Sequence, residues 1–335
     1  MLEIVLPFGL PPDELAKDLI ASLRTPALAR LLACARAHGS REFDGFNRSL
    51  PHEQLLDETF GPALRNAAGL LQNIDPARTG YWFILHPVHL HIARDHLVLT
   101  DTRQLPLTDE ESRALFASAA PVFQESGMTL LYGDGRRWLL QADAWSDMQT
   151  ATLDAACGHN VEIWMPKGSQ ARAWRKLQNE VQMTWFEQEV NLARLTRGLP
   201  VVNSLWLADG AQIDAPASVS TQSGAISAPG SSAKTDLQLL LASSQNTGQW
   251  ALPEQSSNCM LYADTLIGPA LGGDWSDWLN AMQALDQQWF APLLAASRLP
   301  LRLTLGHNHA LREFSCNKLG LLQFWRKNGL ARLLP

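Results

Sequence analysis

The chain is short of the residues that mark specialised classes. Its four cysteines, Cys34, Cys157, Cys259 and Cys316, form no Cys-x-x-Cys pair among 335 residues. That excludes the signature of a zinc ribbon or a redox dithiol and suits free thiols in a reducing compartment. No apolar stretch approaches the roughly 18 residues of a membrane span. Residues 1–12 lack a basic start and are broken by Pro7 after a short apolar run, so the expectation is a cytoplasmic protein with neither signal peptide nor membrane partner. Positive charge is also scarce, with 27 Lys and Arg against 33 Asp and Glu and a net charge of −6. A phosphate backbone would meet no general basic field, and nucleic acid is not an expected partner. Missing too are a Gly-x-Ser-x-Gly elbow, a Walker loop, a dinucleotide fingerprint and a His-Glu-x-x-His helix, which removes the usual support for hydrolase, nucleotide and metalloprotease readings.

What is present is a globular composition, 46% hydrophobic, with twelve tryptophans against three tyrosines. Trp82, Trp164 and Trp206 fall in expected strands and Trp185 and Trp289 in expected helices, where a large buried side chain is the ordinary role. Residues 2–6 read as a strand ending at Pro7-Phe8-Gly9, followed by leucines at helical spacing over 13–37, interrupted at Thr25-Pro26. From Tyr81 come apolar runs over 81–85, 88–92 and 96–100, punctuated by Pro87 and Asp95. Thr108 with an acidic first turn predicts a helix over 109–119. Runs 128–132 and 137–141 flank Gly133-Asp134-Gly135, a hairpin signal because Gly and Asp tolerate positive φ. A long helix is expected over 169–197, capped by Ser169 and stopped by Gly198 and Pro200, then a strand over 201–207. Residues 210–235 are Ser-, Gly- and Pro-rich and read as a solvated loop. The last hundred residues give strands at 259–263 and 301–305 and a helix over 275–296 that must bend or break at Pro292.

Histidine carries the most suggestive spacing. His86, His89, His91 and His96 lie within eleven residues, and His89 and His91 would share one strand face. His307 and His309 form a second His-x-His after another strand. Such pairs could supply imidazoles to zinc or iron, although no carboxylate motif accompanies either and hydrogen-bonded structural histidines are the simpler reading. Lys167-Gly168-Ser169 could hold a phosphate at a helix N-terminus but lacks the glycine-rich length of a P-loop. The helix bearing Asn179, Glu180, Glu187, Asn191 and Arg194 mixes polar and apolar groups on one face, which allows either a buried polar network or an ordinary solvated surface.

Several short motifs occur in a definite order: Thr25-Pro-Ala-Leu-Ala-Arg-Leu-Leu, Leu50-Pro-His-Glu, Pro87-Val-His-Leu, Arg94-Asp-His-Leu-Val-Leu, Asn179-Glu-Val-Gln-Met, Val190-Asn, Val202-Asn-Ser-Leu-Trp-Leu, Gly273-Asp-Trp and Phe324-Trp-Arg. Together they resemble an uncharacterised bacterial family, the RpfE-type regulatory proteins, often labelled cofactor-independent phosphoglycerate mutases. The resemblance implies an α/β, alkaline-phosphatase-like scaffold with an inserted α+β domain. It also implies a test of the mutase label. Such mutases place a metal-binding Asp-Gly after the first strand, then a Thr-Pro helix, a serine nucleophile, an Asp-x-x-x-His, an Asp-His pair and a final histidine. Here Phe8-Gly9 stands at the first position and Pro51-His52-Glu53 where the nucleophile would fall. Asp264 has Gly268 in place of the histidine, Gly306-His307 lacks its aspartate, and the final histidine has no counterpart. A two-metal phosphoryl transfer needs these groups.

The expected organisation is therefore a scaffold of residues 1–69 with 206–335 and an insert of 70–205. The expected function is a non-catalytic binding or regulatory protein with no cofactor, acting on an unknown small molecule or protein partner. The alternative is a metal-dependent phosphomutase or phosphatase in which His89, His91, His307 and His309 replace the lost ligands. Pockets favour domain junctions, so the expected ligand-binding patch is His86, His89, Arg94, Asp95, His96, Asn179, Glu180, Asn191, Arg194 and Asn203. These same groups could instead satisfy one another in the interior.

Overall fold

A computed structural model describes residues 2–214, 237–242, 258–296, 300–317, 320 and 329–334. Its strands, in chain order, are β1 (Leu2–Leu6), β2 (Arg36–Glu42), β3 (Gly80–Val88), β4 (Leu90–Ala93), β5 (His96–Leu99) and β6 (Thr129–Tyr132). They continue with β7 (Trp138–Gln141), β8 (Ser204–Ile213), β9 (Leu237–Ala242), β10 (Asn258–Ala263), β11 (Leu301–Gly306) and β12 (Ala310–Cys316). Two compact units divide them. The first gathers Met1–Asn47, Pro51–Leu55 and the described residues within Ser220–Pro335; the second gathers Arg48–Leu50 and Leu56–Val219. The protein is thus mixed α/β, with an antiparallel sheet in addition to a largely parallel one.

In the first unit the sheet order is β2-β12-β11-β1-β10-β9. β9, β10, β1 and β11 run parallel, and β12 and β2 are added antiparallel. Ile4, Val5 and Leu6 of β1 are fully buried, as expected of a central strand covered on both faces. The expected helix over 13–37 divides into Ala16–Ser22 and Pro26–Cys34, with Pro26 at the first position, where its missing N–H costs nothing. The helix expected to yield at Pro292 departs earlier. Trp275–Leu285 leads into a π-helical turn over Asp286–Phe290 and then Ala291–Ala295. Asp286, in that turn, accepts hydrogen bonds from the N–H groups of Ala27 (3.2 Å) and Leu28 (2.7 Å). The carboxylate from a distant helix thereby replaces the side-chain N-cap that Thr25 does not provide.

The second unit centres on the antiparallel order β6-β7-β3-β8. Trp82 and Ile84 of β3 pack with Leu139, Ala211 and the helix Ala67–Ile74 on one face. Trp138 points the other way, towards Ser112 and Trp185 on the helices Asp109–Glu125 and Ala171–Phe186. Both faces are covered, which explains the near-continuous apolar run of β3. Pro87 lies inside β3 and does not interrupt it; β7 pairs only along Trp82–Leu85, so the proline sits where the strand has one neighbour. Residues 206–213, expected with the scaffold, continue β8 and pair with β3 as far as Ile213 opposite Gly80. The expected 210–235 loop is corrected accordingly for 210–213, and 215–235 lies outside the described residues.

Three local expectations also change. The 109–119 helix runs on to Glu125 through Pro121, from a complete capping box of Thr108 and Glu111. The single helix over 169–197 is two, Ala171–Phe186 and Glu189–Thr196, and Ser169 binds Asp147 without capping either. The 133–135 turn uses no positive φ. It is closed by Asp134, whose carboxylate accepts from the N–H groups of Arg136 and Arg137, both at 2.9 Å.

Candidate functional site

In the first unit, the C-terminal ends of β1, β10 and β11 share one edge, the place where open parallel sheets normally put ligands. The edge divides in two. Beside β10 it is filled with aromatic groups: Phe8, 5% exposed, takes φ 54°, and its ring lies 5.8 Å from that of buried His52, which lies 6.2 Å from Tyr262. The Phe8 carbonyl accepts the Trp278 indole N–H at 2.8 Å. Gly9 follows because a Cβ there would meet Leu6 Cβ at 3.0 Å and Leu305 Cδ2 at 3.1 Å. This part of the edge is thus occupied by packed rings, and the Phe8 carbonyl beneath them is bonded.

Beside β11 the edge opens into a cavity of about 240 Å³, lined by Asp13, Glu42, His307, His309 and Arg312 with apolar Leu10 and Leu333. The His307 N–H donates to Ala310 at 2.8 Å, a tight turn that brings the imidazoles of His307 and His309 to 4.8 Å, edge to face. Burial lowers the His307 pKa, His309 and Arg312 lower it further, and Asp13 and Glu14 oppose them. Near neutrality His307 is therefore an uncharged imidazole between carboxylates and a guanidinium. The Arg312 guanidinium also donates to the carbonyls of Leu334 and Arg332, so it holds that segment as well as facing the cavity. Among the described residues no hydroxyl or thiol lines this space.

A two-metal centre does not fit these residues. Among the described residues no three His, Cys, Asp or Glu side chains are grouped to hold a metal ion. The four-histidine arrangement is corrected on that ground: His89 and His91 stack at 6.1 Å and His307 and His309 meet at 4.8 Å, but neither pair gains a third ligand.

The ten residues expected to form one binding patch fall into distinct settings in the second unit. Four converge on the backbone of 200–203. His89 Nδ1 meets the Val201 carbonyl at 2.8 Å. Asn191 donates to the carbonyls of Trp185 and Val202 and accepts from the Val202 N–H. Asn203 exchanges two bonds with Leu90, and fully buried Arg194 donates to Pro200, Pro106 and Glu111. These bonds explain why the strand expected from 201 begins only at Ser204. His86 is buried on β3 against the Arg136 carbonyl, its pKa lowered to about 4 chiefly by burial. Arg94 (φ 59°), Asp95 and His96 make the tip of the β4–β5 hairpin, where His96 bonds Asp95 in the open. Asn179 and Glu180 lie exposed on the 171–186 helix and line a shallow groove with Val122 and Met183.

Asp13, Glu42 and Arg312 were not among the expected site residues. They come from a loop and two strands far apart in sequence, and the one readable signal was the His-x-His directly after β11.

No family model matches the chain, and no curated protein matches it. Among solved structures it is similar to a cofactor-independent phosphoglycerate mutase from Thermoplasma acidophilum, at TM-score 0.38 and 12% identity over 96% of this chain and 94% of that one. It is also similar to the PH0037 protein from Pyrococcus horikoshii, at TM-score 0.44 and 12% identity over 94% and 87% respectively. The chain is a mixed α/β protein with structural similarity to such mutases at low sequence identity.

Proposed function

We propose that this chain is a binding or regulatory protein of the RpfE type, on an alkaline-phosphatase-like scaffold, without phosphomutase chemistry. The observation that carries the reading is the filled edge at Phe8: an aromatic plug of Phe8, His52 and Tyr262 stands where metal ligands and a nucleophile would be needed. Among the described residues, the cavity beside it offers imidazoles, carboxylates and a guanidinium but no serine, threonine or cysteine, which suits recognition of a small polar ligand better than the serine-based transfer of a phosphoryl group. A rearranged metal site has one observation in its favour, the approach of His307 to His309, and among the described residues lacks the third ligand that a phosphomutase metal would need.

The test is conversion of 3-phosphoglycerate by untagged protein with added manganese or zinc, together with its metal content. The expected result is no turnover and no stoichiometric metal. A rate abolished by His307→Ala, or one metal ion per chain, overturns the proposal.

A further inference from the structure

The 171–186 helix carries its charges against its own dipole. It buries Trp174, Leu177, Gln178, Val181 and Trp185, so the opposite stripe, by helical spacing, is Arg172, Lys176, Asn179, Glu180, Met183 and Glu187. No acidic residue occupies its first turn and no basic residue its last. Arg172, Arg175 and Lys176 crowd the N-terminal end, and Glu187 sits at the C-terminal cap. A free helix is destabilised by that arrangement, since its N-terminus favours anions and its C-terminus cations. Arg172 and Glu187 have no ion-pair partner among the described residues.

Met183 in this stripe and Phe186 beside it are large apolar groups exposed at 76% and 79%, and Met183 lines a groove of about 430 Å³ with Val122 of the 109–125 helix. We infer that this face docks a second copy of the chain, with the two 171–186 helices antiparallel about a two-fold axis passing between Asn179 and Glu180. That axis places Arg172 opposite the partner's Glu187, Asn179 opposite the partner's Glu180, and the Lys176 stem over the partner's Met183, each twice. A surface with a basic half and an acidic half complements itself only in this sense, as an isologous contact requires. An unrelated partner of one charge would match half of it and repel the other. The pairing also sets each helix dipole against its opposite, so the charges unfavourable in one copy become favourable in two. A contact based on one helix, about 24 Å long at 1.5 Å per residue, is smaller than a standard interface, and a dimer of micromolar affinity is expected.

Sedimentation equilibrium of the full chain tests this at low salt and at about 0.5 M salt, where the ion pairs are screened. The expected result is a dimer that weakens in salt and weakens about ten-fold or more in Arg172→Glu, with Met183→Glu monomeric. Arg172→Glu removes a charge opposed to the dipole, so its thermal stability as a monomer should not fall, which separates lost pairing from lost folding. The double exchange Arg172→Glu with Glu187→Arg should restore the dimer. A monomer at every concentration, an unaffected Arg172→Glu, or a double variant as weak as the single one overturns the inference. Under the first outcome the face serves a different protein or none.

Discussion

Arg194 in the second unit and Asp286 in the first are buried charges that hold backbone in place, and they do so differently. The Arg194 guanidinium reaches three separate segments, at Pro106, Pro200 and Glu111. Asp286 binds two successive N–H groups at one helix start. The contrast extends through each unit. Around the four-stranded sheet, loops are fixed by side chains, among them Asn191, Asn203, Gln178 and the Trp206 indole on the Ala151 carbonyl. Around the six-stranded sheet, order comes from strand ladders between remote stretches, with β1 paired to both β10 and β11. A network of the first kind is vulnerable at single residues, because one deletion strands several buried groups; a ladder spreads its bonds along the backbone, where no single side chain carries them.

The largest expected effect therefore belongs to Arg194→Ala. Removing it takes the Arg194 donor from the Pro200 and Pro106 carbonyls and leaves Glu111 to the Thr108 N–H and Arg197, a cost of about 3–5 kcal/mol as for a broken buried ion pair, read as a fall in the urea midpoint. A loss below about 1 kcal/mol would place Arg194 among ordinary surface residues and erase the contrast.

The next effect is a pH dependence built from two opposed groups in paired strands. Burial holds the His86 pKa at about 4, so the unfolded chain takes up a proton that the folded one refuses. Stability from His86 is present above about pH 6.5 and is lost towards pH 4, by about 3 kcal/mol. Asp209 lies on β8 at φ 50°, with its pKa raised to about 6 by burial against the pull of Arg65. There the folded chain keeps a proton that the unfolded one releases, and stability falls by about 2–3 kcal/mol as pH rises from about 4 to about 6. The two nearly cancel in the wild type. Asp209→Asn should give stability that climbs with pH across this window, and His86→Gln stability that declines; urea titrations at pH 4.5 and 6.5 distinguish them, and parallel slopes in the two variants would refute the assignment.

The smallest effect is assigned to Asp286→Ala, about 1–2 kcal/mol as for a lost N-cap. The pKa of its buried carboxyl is raised by desolvation while the Leu28 and Ala27 N–H groups pull it down, so part of the capping gain is already offset. If Asp286→Ala proved costlier than Arg194→Ala, the six-stranded sheet would be the more fragile part and the comparison would be reversed.

Much of this architecture was legible. The apolar strand β3, the helix start at Thr108 and the strand after Gly198 and Pro200 each follow from local chemistry. Less legible was anything set by partners distant in sequence. Asn191 and Arg194 look like surface residues of a helix until Pro106, Glu111 and Val202 are brought to them. The break near residue 286 could not be read because a carboxylate capping residues 27 and 28 has no signature of its own; Pro292, which does, only begins the next helical segment. The cavity of Asp13, Glu42 and Arg312 exists because β12 borders β11 and β2 borders β12, and nothing in their spacing announces that order.

The position of β1 in its sheet has a consequence for synthesis. Leu2 lies between Cys259 and Leu301, so β1 leaves the ribosome long before either of its neighbours has been made. At about 5–20 residues per second the wait is on the order of tens of seconds. During it, residues 56–213 can complete their own sheet, while an apolar strand with two open edges has to be kept from pairing elsewhere. A chaperone acting on the nascent chain would have its greatest value in that interval, and a circular permutant beginning near residue 237 would shorten it.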